Sequence, residues 1–298
     1  MLNKLLWIWL MCLIITACGV DSPVNNDEPD PNTNELKIGS DETLEIITWN
    51  IENFPKLQND TVELMVELIN EMDVDIICLQ EIESSADFIL LDNELTAWDG
   101  FRANSAAYDI DLALLYKNSA DFQISSIREL FDDDWYAFPR PPLQIEFLWN
   151  NETFFLINNH LKAMGEQDDI ERRRQACEGL AEYVLTVLPN ENVIIVGDLN
   201  DLITDPPETN VFNPFLLDTE NFLMTDYNIA YGSALHWSWN NGSSHLDHII
   251  ISNELFGEFS NQGSSIQTIR IDDYLTGGWN FYEQYISDHR PVALTLHF

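Results

Sequence analysis

From residue 43 onward, short apolar runs alternate with stretches in which apolar residues recur every three or four positions. The runs Thr43–Asn50, Val74–Gln80, Asp111–Tyr116, Gln144–Trp149, Phe154–Asn159, Val193–Gly197 and His245–Ser252 predict β-strands. Several are apolar at neighbouring positions, the pattern of strands covered on both faces. Helical spacing predicts a helix over 61–72, with Val62, Met65, Ile69 and Met72 on one face and Asp60 and Glu63 placed as a capping box. A second helix is predicted over about 168–188, its inner stripe formed by Ile170, Cys177, Leu180, Ala181, Val184 and Leu188. The alternation gives an α/β fold class without internal repeats. Two connections, 201–244 and 253–287, are long and rich in Asn, Gly, Asp and aromatic residues, and connections of such length usually carry function.

The first segment has a different character. Met1–Cys18 holds one Lys, an apolar run and then small residues ahead of a cysteine, which is the architecture of an export signal and too short for a mature spanning helix. Its end, Ile15-Thr16-Ala17-Cys18-Gly19, resembles the lipobox of bacterial lipoproteins. That resemblance implies removal of residues 1–17, a diacylglycerol on the Cys18 sulfur, and anchoring to the outer membrane or cell surface. Residues 18–42 offer almost nothing to bury, so they read as a flexible tether, leaving 43–298 as the catalytic domain. Four cysteines are too few and too oddly placed for a disulfide scaffold, and Cys78 and Cys177 sit in apolar surroundings as buried thiols.

Charge narrows the functional classes. With 51 acidic and 13 basic side chains the net charge is −38, which excludes a nucleic-acid coat protein. Five of the basic residues, Arg140, Lys162 and Arg172 to Arg174, cluster in two segments, so a locally positive cleft on an acidic body is compatible with the sequence. Part of the Arg172–Arg174 triplet has a plainer reading, since Arg174 lies four before Glu178 on the inner stripe, the spacing of a helix ion pair.

Polar residues able to bind metal, move protons or donate hydrogen bonds stand at the C-terminal ends of the apolar strands. These are Asn50, Glu81, His160, and Asp198 with Asn200. The ordered series Trp49-Asn50, Leu79-Gln80-Glu81, Asn159-His160, Gly197-Asp198-Leu199-Asn200, Leu246-Asp247-His248 and Ser287-Asp288-His289-Arg290-Pro291 resembles the endonuclease/exonuclease/phosphatase superfamily over residues 44–298. That superfamily includes pancreatic-type deoxyribonuclease, apurinic endonucleases, sphingomyelinases and inositol-polyphosphate phosphatases. The resemblance implies a four-layer α/β sandwich, two packed mixed β-sheets flanked by helices, with the site at one sheet edge.

Roles follow by the same resemblance. Glu81, Asn50 and Asp288 form the shell of a Mg²⁺ or Mn²⁺ ion, hard cations that take oxygen ligands, and Glu52, two residues beyond Asn50, stands as a further ligand or as a solvated acid. A Ca²⁺ ion is admissible as a structural ion. Asp198 orients and deprotonates the attacking water, and Asn200 donates to the phosphoryl oxygen. His289 binds phosphate and is held by Asp247, a pairing that fixes the tautomer and favours the charged ring. His160 resembles the second histidine of the deoxyribonuclease and sphingomyelinase branches, an acid for the leaving oxygen. Arg140 falls where the deoxyribonuclease branch has a phosphate-contacting arginine. His160 to Ala163 followed by Arg172 to Gln175 is similar to secreted bacterial nucleases, whereas His248 has no assigned role.

The leading expectation is a lipid-anchored extracellular nuclease whose partners are nucleic acid, DNA before RNA, and a membrane through Cys18, with no protein partner implied. The rival is a phosphodiesterase or phosphatase acting on phospholipid headgroups, inositol phosphates or other small esters, which draws on membrane tethering and on the exposed-looking rings Trp237, Trp239, Trp279 and Tyr282. A surface binding module with a dead site ranks third, because all the matched positions keep their chemical type.

Overall fold

A computed structural model describes residues 36–298 except 108, 109, 120, 121, 241 and 242. The export signal, Cys18 and the tether as far as residue 35 lie outside the described residues. The rest of the expected tether is ordered against the domain. Leu36 is buried in the outer core, and the Ile38 and Gly39 amides donate to the Met72 carbonyl. The two apolar residues of Leu36-Lys37-Ile38 have a surface to cover, so the folded part begins before residue 43.

Two six-stranded mixed sheets form the frame. In chain order the strands are β1 (Thr43–Phe54), β2 (Ile76–Ile82), β3 (Trp98–Arg102), β4 (Asp111–Lys117), β5 (Phe122–Glu129), β6 (Leu143–Trp149), β7 (Glu152–His160), β8 (Asn192–Asp198), β9 (Phe222–Met224), β10 (Asp247–Ser252), β11 (Ser265–Thr268) and β12 (Val292–His297). The first sheet runs β11-β12-β1-β2-β4-β3 and the second β5-β6-β7-β8-β10-β9. Each contains one parallel pair, β1 with β2 and β7 with β8, near its middle. Apolar side chains from both sheets interdigitate between them, among them Ile46, Cys78 and Leu114 from the first and Ile145, Leu156 and Ile194 from the second. Gln80 and Asn158 cross this core. The Gln80 amide donates to Asn158 Oδ1 at 2.8 Å, and Asn158 donates in turn to the Leu79 and Ala113 carbonyls, so the buried amides tie the sheets together.

Helices α1 (Asn59–Met72) and α2 (Ser85–Glu94) cover the outer face of the first sheet, and α3 (Gln167–Val187) covers that of the second. These are the four layers expected. The apolar stripe of α1 is buried as its spacing predicts, but its capping box does not form. The helix begins at Asn59 rather than beyond Asp60, and its first turn makes no side-chain cap. Capping appears instead on α3, where Glu166 and Asp169 bond reciprocally to each other's backbone amides, and on α2, where Ser84 accepts from Asp87 N. On α3, Cys177, Leu180, Ala181, Val184 and Leu188 are buried and Ile170 is partly so; both Cys78 and Cys177 are free, buried thiols. Among the described residues, no helix is long and apolar enough to cross a membrane.

Candidate active site

The parallel pairs converge at one edge. Asn50 lies where the regular pairing of β1 with β2 breaks, Gln80 and Glu81 stand near the C-terminal end of β2, His160 and Asp198 end β7 and β8, and antiparallel β10 begins there with Asp247 opposite Asp198. The turn before β12 supplies Asp288 and His289. Local backbone serves the site. Gly197 has φ +147°, and a Cβ there would stand 2.0 Å from the Asn159 carbonyl oxygen, so only glycine lets β8 lie this close to β7 just before Asp198. Glu81 and Asn200 hold positive φ of 65° and 55°, in the left-handed region that asparagine enters readily and glutamate rarely.

Asn50 joins the two halves. Its Nδ2 donates at 3.0 Å to Glu81 Oε1 and at 3.0 Å to Asp198 Oδ2, while its Oδ1 accepts the Glu52 amide. The Asn200 amide donates to Asp198 Oδ1 at 3.1 Å, and the Asn200 side chain donates to the Leu161 carbonyl. His289 Nδ1 lies 2.7 Å from Asp247 Oδ2, and its Nε2 lies 3.9 Å from Asp198 Oδ2 and 3.9 Å from Asp288 Oδ1. His160 Nε2 stands 3.7 Å from both Glu81 Oε1 and Asp198 Oδ2, and its Nδ1 is buried without a partner among the described residues. The two carboxylates beside Nε2 select the tautomer that carries its proton there.

The charges of these groups follow from their surroundings. Burial pushes the Asp198 carboxyl up to about 7, opposed by His289. Burial works against a charged His289, yet Asp247, Asp198 and Asp288 hold its pKa at about 10, so the ring is an imidazolium at neutral pH. His160 behaves oppositely. Burial first, then the neighbouring Arg140 and His289 cations, take it well below the ordinary histidine value. It is therefore a neutral hydrogen-bond donor in this structure, and the acid role expected from the resemblance has no imidazolium behind it.

Glu52 departs from its expected placement. Strand β1 continues to Phe54, but its pairing with β2 shifts register after Asn50, and Glu52 and Asn53 both have positive φ. The alternation that put Glu52 on the face of Asn50 is broken by this irregularity. Its carboxylate accepts the Asp288 amide at 2.8 Å and pairs with Lys56, which makes it a brace for the Asp288 turn. Burial and the Asp288 charge raise its pKa. Trp239 Nε1 donates to Asp288 Oδ2 from the other side at 2.9 Å. Among the rings expected to be exposed, Trp237, Trp239 and Trp279 are half-buried. Tyr282 is wholly buried, accepting from Trp49 Nε1 and donating to the His289 carbonyl.

Arg140 borders the same edge and feels the Glu81 and Asp198 charges, yet among the described residues it has no hydrogen-bond or ion-pair partner, and its Nε is buried. The Arg172–Arg174 triplet divides. Arg173 is buried, with Nε 2.8 Å from Asp201 Oδ2 and Nη1 donating to the Lys162 and Met164 carbonyls. Arg172 donates to the Tyr136 and Trp135 carbonyls, and Arg174 pairs with Glu171, not with Glu178.

One cluster escapes sequence reasoning. Asp226, His245 and His248 are buried together, with Asp226 Oδ2 2.9 Å from His245 Nε2 and 2.6 Å from His248 Nδ1. His248 Nε2 also lies 3.0 Å from the Asp201 carbonyl, so both ring nitrogens face acceptors and the ring must carry both protons. Its raised pKa, carried by Asp226 against burial, agrees with this. His245 Nδ1 accepts the Ser238 amide, leaving Nε2 to donate. The trio fastens the irregular 201–246 segment to β10. A signal existed in His245 and His248 flanking Asp247, but their partner Asp226 lies 19 and 22 residues away in a segment without periodicity.

A profile of the Endonuclease/Exonuclease/phosphatase family matches residues 47–289. The chain belongs to this family. Its fold is shared with TDP2 from D. rerio, solved in complex with a single-strand DNA product, at TM-score 0.67 and 16% identity over 87% of this chain and 100% of that one. The human Nocturnin catalytic domain with bound sulfate aligns at TM-score 0.62 and 18% identity, covering 88% of this chain and 96% of that one. A Bacteroides thetaiotaomicron protein of the family aligns at 0.61 and 16%, over 86% and 98%. No curated protein sequence matches significantly. Family members hydrolyse phosphoester bonds, and Asn50, Glu81, His160, Asp198, Asp247 and His289 meet at the edge where both parallel strand pairs end.

Proposed function

We propose that the protein is a divalent-metal-dependent nuclease, exported, tethered through lipid on Cys18, and acting on DNA before RNA. The observation that carries the reading is the pairing of an uncommitted Arg140 with an imidazolium His289 around the buried Asp198. Two cations within electrostatic reach of one buried base suit a phosphodiester in the act of hydrolysis.

The donor set fits a hard cation. Glu81 and Asp288 are about one-fifth exposed while Asp198 and Asp247 are sealed, so the open oxygen donors are the former pair. Glu81 and Asp288 would hold Mg²⁺ or Mn²⁺, with the second lone pair of Asn50 Oδ1 as a further donor, and the ion would supply charge neutralisation at the phosphoryl oxygens. The chain's own groups do the rest. Asp198 takes the proton of the attacking water, with Asn50 and Asn200 fixing its two oxygens. His289, oriented by Asp247, and Arg140 bind the non-bridging oxygens as charge grows on them. His160 donates a neutral hydrogen bond through Nε2 to the phosphoryl group.

Nucleic acid as substrate is supported by the single-strand DNA product bound to the structurally similar TDP2. The rival, a phospholipid or small-ester phosphodiesterase, draws on the exposed Leu217, Tyr227, Tyr231 and Leu235. Residues 19–298 should cut linear and closed-circular DNA with Mg²⁺ or Mn²⁺ and lose that activity in EDTA. Intact DNA beside hydrolysed phospholipid or inositol phosphate would transfer the assignment to the rival.

A further inference from the structure

Arg140 also lines a cleft of about 430 Å³, together with the apolar Trp135, Pro139 and Met164 and the basic Lys162 and Arg172. In a molecule of net charge −38, three of 13 basic side chains border this one hollow. Its apolar wall is open. Trp135 is 52% exposed and Met164 72%, both large side chains that would ordinarily be covered.

The Trp135 backbone, by contrast, is held firmly. Arg172 donates from Nε to the Tyr136 carbonyl at 2.6 Å and from Nη2 to the Trp135 carbonyl at 3.3 Å, and its guanidinium lies 5.3 Å from the Tyr136 ring centroid. Tyr136 donates in turn to Asp168 Oδ1 of α3, and Asp134 Oδ1 accepts the Tyr136 and Ala137 amides. The clamped backbone fixes the point from which this exposed indole is presented to the cleft. A ring that stacks on it gains contact without the cost of ordering the loop.

We infer that this cleft is a base-binding subsite, in which Trp135 stacks the nucleobase flanking the phosphate held by Arg140, with Arg172 as the residue that positions the platform. The inference rests on the nuclease reading of the adjoining site and sharpens it. Every base presents a stackable face, so Trp135 confers preference for base-bearing strands without reading their sequence. An acyl chain or a headgroup without a ring has no use for the platform.

The test compares two single-stranded oligonucleotides of equal length, one of ordinary deoxynucleotides and one with abasic residues on both sides of the cleaved bond. Wild type should favour the ordinary strand by about fivefold or more in kcat/KM, through KM. Trp135→Ala should cut both at the lower efficiency, and Trp135→Tyr should restore the preference. Arg172→Ala should also reduce the preference, because the indole stays present but loses its support. Equal cutting by wild type, or a preference that survives Trp135→Ala, overturns the subsite while leaving the nuclease reading intact. Failure of wild type to cut either strand also overturns the subsite, and failure on closed-circular DNA as well overturns the nuclease reading.

Discussion

Asp198 and His289 lie 3.9 Å apart and are displaced from their ordinary pKa values for different reasons, the acid by burial and the ring by the carboxylates around it against its own burial. Asp247 is the first of those carboxylates, and its effect can be isolated. His289 is raised from 6.5 to about 10, so its charge persists through neutral pH and is lost only as pH rises past about 10. Asp247→Asn keeps the shape at Nδ1 but removes the charge. The His289 titration, followed by ring NMR, should then fall toward the ordinary histidine range, and kcat at pH 8 should drop roughly 10²-fold. An unmoved titration would contradict the assignment. At this scale the sequence was highly legible, because an apolar strand ending in a polar residue is a local signal. What it could not convey was protonation: His160 and His289 look alike as letters, and only burial beside two cations makes one neutral.

Among the elements, the seven strands expected from apolar runs are all interior to their sheets. Those that escaped notice, β3, β5, β9 and β11, are the four edge strands, which bury one face or are too short to show a pattern. The remaining one, β12, is interior, and its six residues alternate too briefly to stand out. Helix α2 was hidden for another reason: Phe88, Ile89, Leu90 and Leu91 are consecutive, which is not helical periodicity. The long 201–244 connection reads as an irregular loop in the sequence, and its order is hidden there because it comes from distant pairs such as Asp226–His248. A similar tie governs the loops beside the site. Arg173 links α3 to the 161–165 loop and to Asp201, just past Asn200. Arg173→Ala strands a buried carboxylate and two carbonyls, and should cost about 3–5 kcal/mol in urea unfolding. A loss below about 1 kcal/mol would show that the loops hold without it.

Over the whole molecule, the charge and the site pull in opposite directions. A protein of net charge −38 repels DNA at long range, and the uncommitted cation at the edge is Arg140, since Lys162 pairs with Asp169 and Arg172 is bound to the 135–136 backbone. Few counterions are therefore released on binding. KM for DNA should rise with salt with a log–log slope of only about 1–2, measured between 50 and 200 mM; a slope near that of a protein making many phosphate contacts would contradict this picture. In the proposed reaction Asp198, held by Asn50 and Asn200 at the meeting of the two sheets, is the base for phosphodiester hydrolysis. Nicking of closed-circular DNA in Mg²⁺ by wild type and by Asp198→Asn tests it most directly, with thermal melting confirming that both are folded. The variant should nick roughly 10²–10⁴-fold more slowly. A folded Asp198→Asn protein that nicks at the wild-type rate would contradict that role.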